Sequence, residues 1–229
     1  MNALRAPALA LLLAVPLLLV AVPPPLAAAP FAVQVGDSRV SLDVPPGFAD
    51  TAFTGSPRLQ ELGESLTSAS NRVLLFALSD ADLRRFTLGD QLELRRYMVA
   101  VTSRAAEREP MSEKAFRALQ DELQRELRQL PGAGDYQKYL ESRPPGTVSM
   151  LAELRRDAGA ISVLQGTRSK GRSFFDRSTY LLSSTSLVLL RGKALTLSVF
   201  TQYDDPADLE WIRVTTNRWI DDLKRLNTR

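Results

Sequence analysis

The second half of the chain constrains the fold most tightly. From residue 147 four apolar-rich runs, "TVSMLAEL", "AISVLQGT", "FFDRSTYLLSSTSLVLL" and "ALTLSVFTQ", follow one another with compact breaks at "RRDAG", "SKGR" and "RGK". Such runs fit pleated strands, and breaks this short allow only an antiparallel return. The sheet they form needs a cover. "PADLEWIRVTTNRWIDDLKRL" supplies it, with Leu209, Ile212, Thr216, Trp219, Leu223 and Leu226 spaced along one helical face.

The first half adds matching parts. "FAVQVGDSRVSLDVPPGF" reads as a β-hairpin turning at Gly36 and Asp37 and stopped by Pro45 and Pro46. "SPRLQELGESL" is helical, with Ser56 as cap and Pro57 in the first turn; "NRVLLFAL" and "LELRRYMVAVTS" are strands. "MSEKAFRALQDELQRELRQL" stripes Phe116, Leu119, Leu123, Leu127 and Leu130 down one side, and a short helix follows at "DYQKYL". The expected fold class is α+β: an antiparallel β-sheet flanked by α-helices, an α/β/α sandwich, as a single domain over residues 30–229.

Residues 1–29 read differently. Arg5 is followed by a long Leu, Ala and Val run and then by Ala27, Ala28 and Ala29, the order of a secretory signal peptide. Pro30 obstructs the most obvious cut, so the alternative is a retained N-terminal anchor, although Ala6 to Val22 falls short of the roughly 20 residues that span a bilayer. The expected location is exported, in the periplasm. With no cysteine there is neither a lipid attachment site nor a disulfide framework, so the domain is held by core packing. The net charge of +3 falls to +2 when Arg5 leaves with the signal, a balance that does not mark a nucleic-acid binder.

The absence of histidine and cysteine limits the chemistry further. A nucleophilic triad lacks its usual base, and imidazole or thiolate ligation of a transition metal is excluded. The carboxylates remain. "QYDDPADLEW" concentrates Asp204, Asp205, Asp208 and Glu210, which invites a catalytic or metal reading. A structural one competes: Asp205 as N-cap puts Pro206 at the first helical position and Asp208 at the third, where a carboxylate suits the helix dipole. "FALSDADLRRF" repeats the pattern, with Ser79, Asp80 and Asp82 between a strand and Leu83, much as Asp205 and Asp208 precede Leu209. Calcium is disfavoured because "DDPADLE" has neither the glycine nor the spacing of a calcium loop. No cofactor is expected.

"GTRSKGRS" nearly matches a phosphate-binding loop, with Arg172 in place of the lysine, but a strand follows where that motif needs a helix. The same turn is the most basic local cluster: Arg168, Lys170, Arg172 and Arg177 around Phe174 and Phe175. It is a solvated loop or a contact for an anionic membrane surface or a protein partner. Trp211 sits at the margin of the last helix's apolar face, where exposure would mark a partner surface.

Two pieces carry a resemblance. The "VSLDVPPGF" opening at Val40 to Phe48 and the closing strand, acidic turn and helix resemble the PsbP-like and DcrB-like α/β/α sandwich group, over residues 31–229. The resemblance implies a noncatalytic protein that binds or stabilises another protein at or near a membrane. It brings no functional residues with it, and the lipid-bearing cysteine of DcrB-type lipoproteins is missing. The expectation is a noncatalytic binding or assembly protein of the bacterial cell envelope, partnered by another envelope protein or an anionic membrane. The alternatives are a periplasmic carboxylate-dependent hydrolase acting on a glycan and a peripheral protein of anionic membranes.

Overall fold

Seven strands form one antiparallel sheet in the computed structural model, which describes residues 29–127, 135–169 and 179–228. Residues 1–28 of the signal segment lie outside the described residues, as do Leu130, Lys170, Arg172, Phe174, Phe175 and Arg177. A hairpin of β1 (Phe31–Val35) and β2 (Ser38–Leu42) comes first, then β3 (Phe48–Asp50), a 3-10 turn (Thr51–Thr54) and α1 (Pro57–Ser65). Next are β4 (Asn71–Ser79), α2 (Asp80–Leu88), β5 (Arg96–Ser103), α3 (Glu113–Leu127) and α4 (Tyr136–Glu141). The meander β6 (Ser149–Asp157), β7 (Ala160–Ser169), β8 (Thr179–Leu190) and β9 (Lys193–Gln202) precedes α5 (Pro206–Asn227).

The strand order is β3-β4-β5-β9-β8-β7-β6. Two sequence-distant groups therefore meet at one seam, β5 against β9, where Arg96 faces Thr201 and Val101 faces Thr196. Between β8 and β9 the register is set by a tight turn. Arg191 and Gly192 both take positive φ (49° and 74°), the two-residue turn whose twist matches that of antiparallel strands. That register directs Leu182, Ser184, Ser186, Val188 and Leu190 of β8 inward.

Helix α5 covers this inner face. Ile212, Trp219, Ile220 and Leu223 are buried, each contributing about 1.5–3 kcal/mol by leaving water. The polar members of the stripe are paired: Thr216 and Ser184 share a hydroxyl bond of 2.6 Å, and Ser186 donates to Ser162 at 2.7 Å. The β1–β2 hairpin packs against α5 and stays outside the main sheet. Asn227 pins it by imitating a neighbouring strand, accepting from the Ser41 amide (2.9 Å) and donating to the Ser41 carbonyl (2.8 Å). Trp219 Nε1 donates to the Asp43 carbonyl at 2.8 Å.

The opposite face carries α1 and α2. Phe76, Leu78, Tyr97, Val99 and Val101 form a second apolar cluster with Leu59 and Leu62 of α1 and Leu83 and Phe86 of α2. Gly63 allows the close approach, because a Cβ there would stand 3.0 Å from the Phe76 ring. Helix α3 buries Phe116 and is tied to the β6–β7 turn by Gln120, which donates to the carbonyls of Asp157 (2.9 Å) and Ala160 (3.0 Å). Helices on both faces of an antiparallel sheet make the α+β sandwich expected from the sequence.

Candidate functional site

The acidic stretch lies where β9 leaves the sheet and α5 begins. Asp205 is the N-cap of α5, its Oδ1 accepting from the Ala207 amide at 2.6 Å, and Pro206 occupies the first turn. Asp208 reaches back to the amides of Asp204 (3.0 Å) and Asp205 (3.3 Å), which completes a capping box. Its other oxygen accepts from Arg96 at 2.9 Å. Asp204 pairs with Arg95 and Glu210 with Arg213.

These contacts set the electrostatics. Burial pushes the Asp208 carboxyl up, but the Asp204 amide, the Arg96 guanidinium and the Asp205 amide outweigh it and hold the group below the ordinary carboxylate range. The hydrogen bond from Arg213 lowers Glu210 in the same direction. A general acid needs the opposite shift, a carboxyl kept protonated near neutral pH. The stretch is built to start a helix. Among the described residues no group of three acidic side chains is placed to hold a metal ion.

Trp211 stands beside this cap and is half-buried. The Arg96 guanidinium lies 4.2 Å from its ring centre, and Phe48 packs against it at 6.1 Å. The ring expected to face a partner is therefore covered on one side by a cation that also holds Asp208, so Arg96, Asp208 and Trp211 act as one unit.

At the second cap, Ser79 Oγ accepts from the Asp82 amide at 3.1 Å and donates to Asp82 Oδ2 at 3.2 Å, while Asp82 Oδ1 accepts from the Glu93 amide at 3.0 Å. Asp80, expected to share the cap, is exposed in the first turn. The correction follows from spacing: with Ser79 as N-cap, the third helical position that bonds back is Asp82.

Of the basic turn, Arg168 is described. Its Nη2 donates to the Arg143 carbonyl at 3.0 Å, and Arg143 in turn lies over the Tyr139 ring. The glycine of the phosphate-loop match is a packing residue: a Cβ on Gly166 would stand 2.8 Å from Leu140 and 2.9 Å from Leu151. Gly166 lies inside β7, paired with Leu182, where a phosphate loop has no place.

Sequence reasoning missed two features. Lys193 is almost fully buried at the start of β9, its ammonium 2.7 Å from Asp37 on the hairpin turn. Asp50 is buried at the end of β3, caps the 3-10 turn by accepting from Ala52 (3.1 Å), and lines a cavity of about 320 Å³ between that turn, α1 and β4. Burial pushes its carboxyl above the ordinary range, against bonds from the Ala52 and Phe76 amides. The signal for Asp50 was an acid at the end of a strand, the kind of residue that caps α5 at Asp205.

No family model matches the chain, and no curated protein matches it. Among solved structures it is similar to the Ran-binding protein Mog1p of Saccharomyces cerevisiae, with 12% identity, a TM-score of 0.37, and coverage of 86% of this chain and 93% of that one. At that level of likeness, Ran binding is a property of Mog1p alone.

Proposed function

We propose that this protein is a noncatalytic binding or assembly module, exported to the cell envelope of a bacterium and acting on another envelope protein. The observation that carries the reading is the commitment of the acidic stretch. Asp204, Asp205, Asp208 and Glu210 are each engaged in a helix cap or an arginine pair. The order of residues 1–29 supports export, and the resemblance to the PsbP-like and DcrB-like group points towards protein binding. Among the described residues no helix is long and apolar enough to cross a membrane. Native mass spectrometry of the protein recovered from its own envelope tests the reading. A mature mass carrying a second protein is the expected result; a turnover activity that survives purification and disappears on carboxylate substitution overturns it.

A second reading, the carboxylate-dependent hydrolase, rests on Asp50. It is a buried carboxyl raised by its surroundings, in a cavity that a second acid, Glu64, also lines. A glycan-hydrolysing activity that Asp50→Asn abolishes while the fold is retained favours this second reading. The anionic-membrane reading depends on the turn of Arg168, Lys170, Arg172 and Arg177. Salt-insensitive vesicle binding, or binding unchanged when these residues are neutralised, removes it.

A further inference from the structure

The edge of the sheet at β4 is open along most of its length. β3 pairs with Ala77–Ser79 only, so among the described residues Asn71–Phe76 have no strand neighbour on that side. Two cavities run along this stretch. The first, of about 320 Å³, is lined by Val73, Leu74, Leu75 and Phe76; the second, of about 470 Å³, by Asn71, Arg72 and Val73. Gln60 and Glu64 of α1 line both, so the two are one groove. Side chains alternate across a strand, so six consecutive residues can line one groove only if it runs along the backbone edge.

We infer that this groove docks an extended segment of another polypeptide, which adds to β4 as a strand. The inference rests on the binding-module reading and names its surface. The unpartnered stretch spans roughly 20 Å at about 3.3 Å per residue, room for a segment of six residues. Its two ends are already closed, since Thr51 Oγ1 donates to the Phe76 carbonyl (3.0 Å) and Arg104 Nε to the Asn71 carbonyl (3.0 Å). The partner contacts therefore fall on Arg72–Leu75.

The occupant is a single peptide strand and not the sheet edge of a second copy. The edge is recessed beneath α1 and the 3-10 turn, and a register shift between Val73 and Leu75 bulges it. Bulges turn an edge away from flat sheet-to-sheet pairing, whereas a lone peptide can follow the bend. Charge fixes its polarity. Asp50 lies at the Phe76 end and Glu64 midway; Arg72 and Arg104 lie at the Asn71 end. Arg72 is paired with Glu107 at 2.8 Å, while Arg104 makes no ion pair among the described residues. Every pairing in this sheet is antiparallel, so the peptide enters with a cationic residue near its amino end and an anionic one near its carboxyl end.

The test uses the mature protein and a panel of eight-residue peptides alternating Val and Thr, with Lys in the first two positions and Glu in the last two. Binding is expected to shift the backbone amide signals of Arg72–Leu75 and to slow their hydrogen exchange. Glu64→Lys and Arg104→Glu, both at exposed side chains, are each expected to weaken binding by about threefold or more. A charge-swapped peptide restores binding to the double variant. Absence of binding across the panel, perturbation confined to other residues, or dimerisation of the protein through this edge overturns the assignment. A partner recovered from the envelope that protects a different surface overturns the groove and leaves the binding-module reading standing.

Discussion

Asp157 offers a quantitative test of how α5 is held to the sheet. It closes the β6–β7 turn by accepting from the Gly159 amide (2.9 Å) and from Arg155 Nε (2.6 Å), and it pairs with Lys224 of α5. Burial pushes its carboxyl up, but Lys224, the Gly159 amide and Arg155 together hold it at about 2, against an ordinary value of 3.8. A shift of that size corresponds to about 2.5 kcal/mol. The side chain is 32% exposed, so solvent screening reduces the usable part to about 1–1.5 kcal/mol. Asp157→Asn keeps the acceptor for Gly159 and removes the charge. It is expected to lower stability in urea by about that amount at neutral pH. Because the folded value is depressed, the stabilisation is complete above 3.8 and fades as pH falls towards 2. The gap between parent and variant should close over that interval. Lys224→Met should cost a similar amount, and the double variant little more. No gap at neutral pH, or one undiminished near the lower end of the interval, refutes the reasoning.

Three further outcomes follow from the same geometry. Asp205→Ala removes the α5 cap and should cost about 0.5–2 kcal/mol in urea unfolding. Asp50 has the opposite sign from Asp157: its raised carboxyl means that ionisation works against folding, a penalty relieved as pH falls through the folded value. Asp50→Asn removes that penalty and keeps an acceptor for the Ala52 amide but loses the one for the Phe76 amide, so its melting temperature at neutral pH should stay within about 5 °C of the parent's, and a larger loss contradicts the assignment. Gly36→Ala should cost about 2–4 kcal/mol, because φ is +57° and the new Cβ would stand 2.3 Å from the Glu107 carbonyl; a loss below about 1 kcal/mol by the same assay contradicts it.

The strands and α5 were legible because their signals are local. The alternation in β8, the capping residues Asp205 and Asp208, and the stripe through Ile212, Trp219 and Leu223 sit within a few positions of one another. What was not legible depends on residues far apart in the chain. Nothing near Asn227 announces that its amide will pair with Ser41, and nothing near Lys193 announces Asp37. Ile220 was left out of the α5 stripe, yet it is fully buried, as the β1–β2 hairpin and the sheet together widen the covered arc of the helix. The β4 groove is hidden for a related reason. An edge is defined by a strand that stops short, and the shortness of β3 is visible only once its partner is known.

The seam between β5 and β9 has a consequence in time. A ribosome making about 5–20 residues per second delivers β5 and then needs roughly 100 more residues before its neighbour exists. For those seconds β5 presents a bare apolar edge, and the inner face of the sheet has no α5 to cover it. The nascent chain is thus most vulnerable to misassociation just when its first half looks finished. Any truncation upstream of Lys193 removes β9 and α5 together and makes that vulnerability permanent.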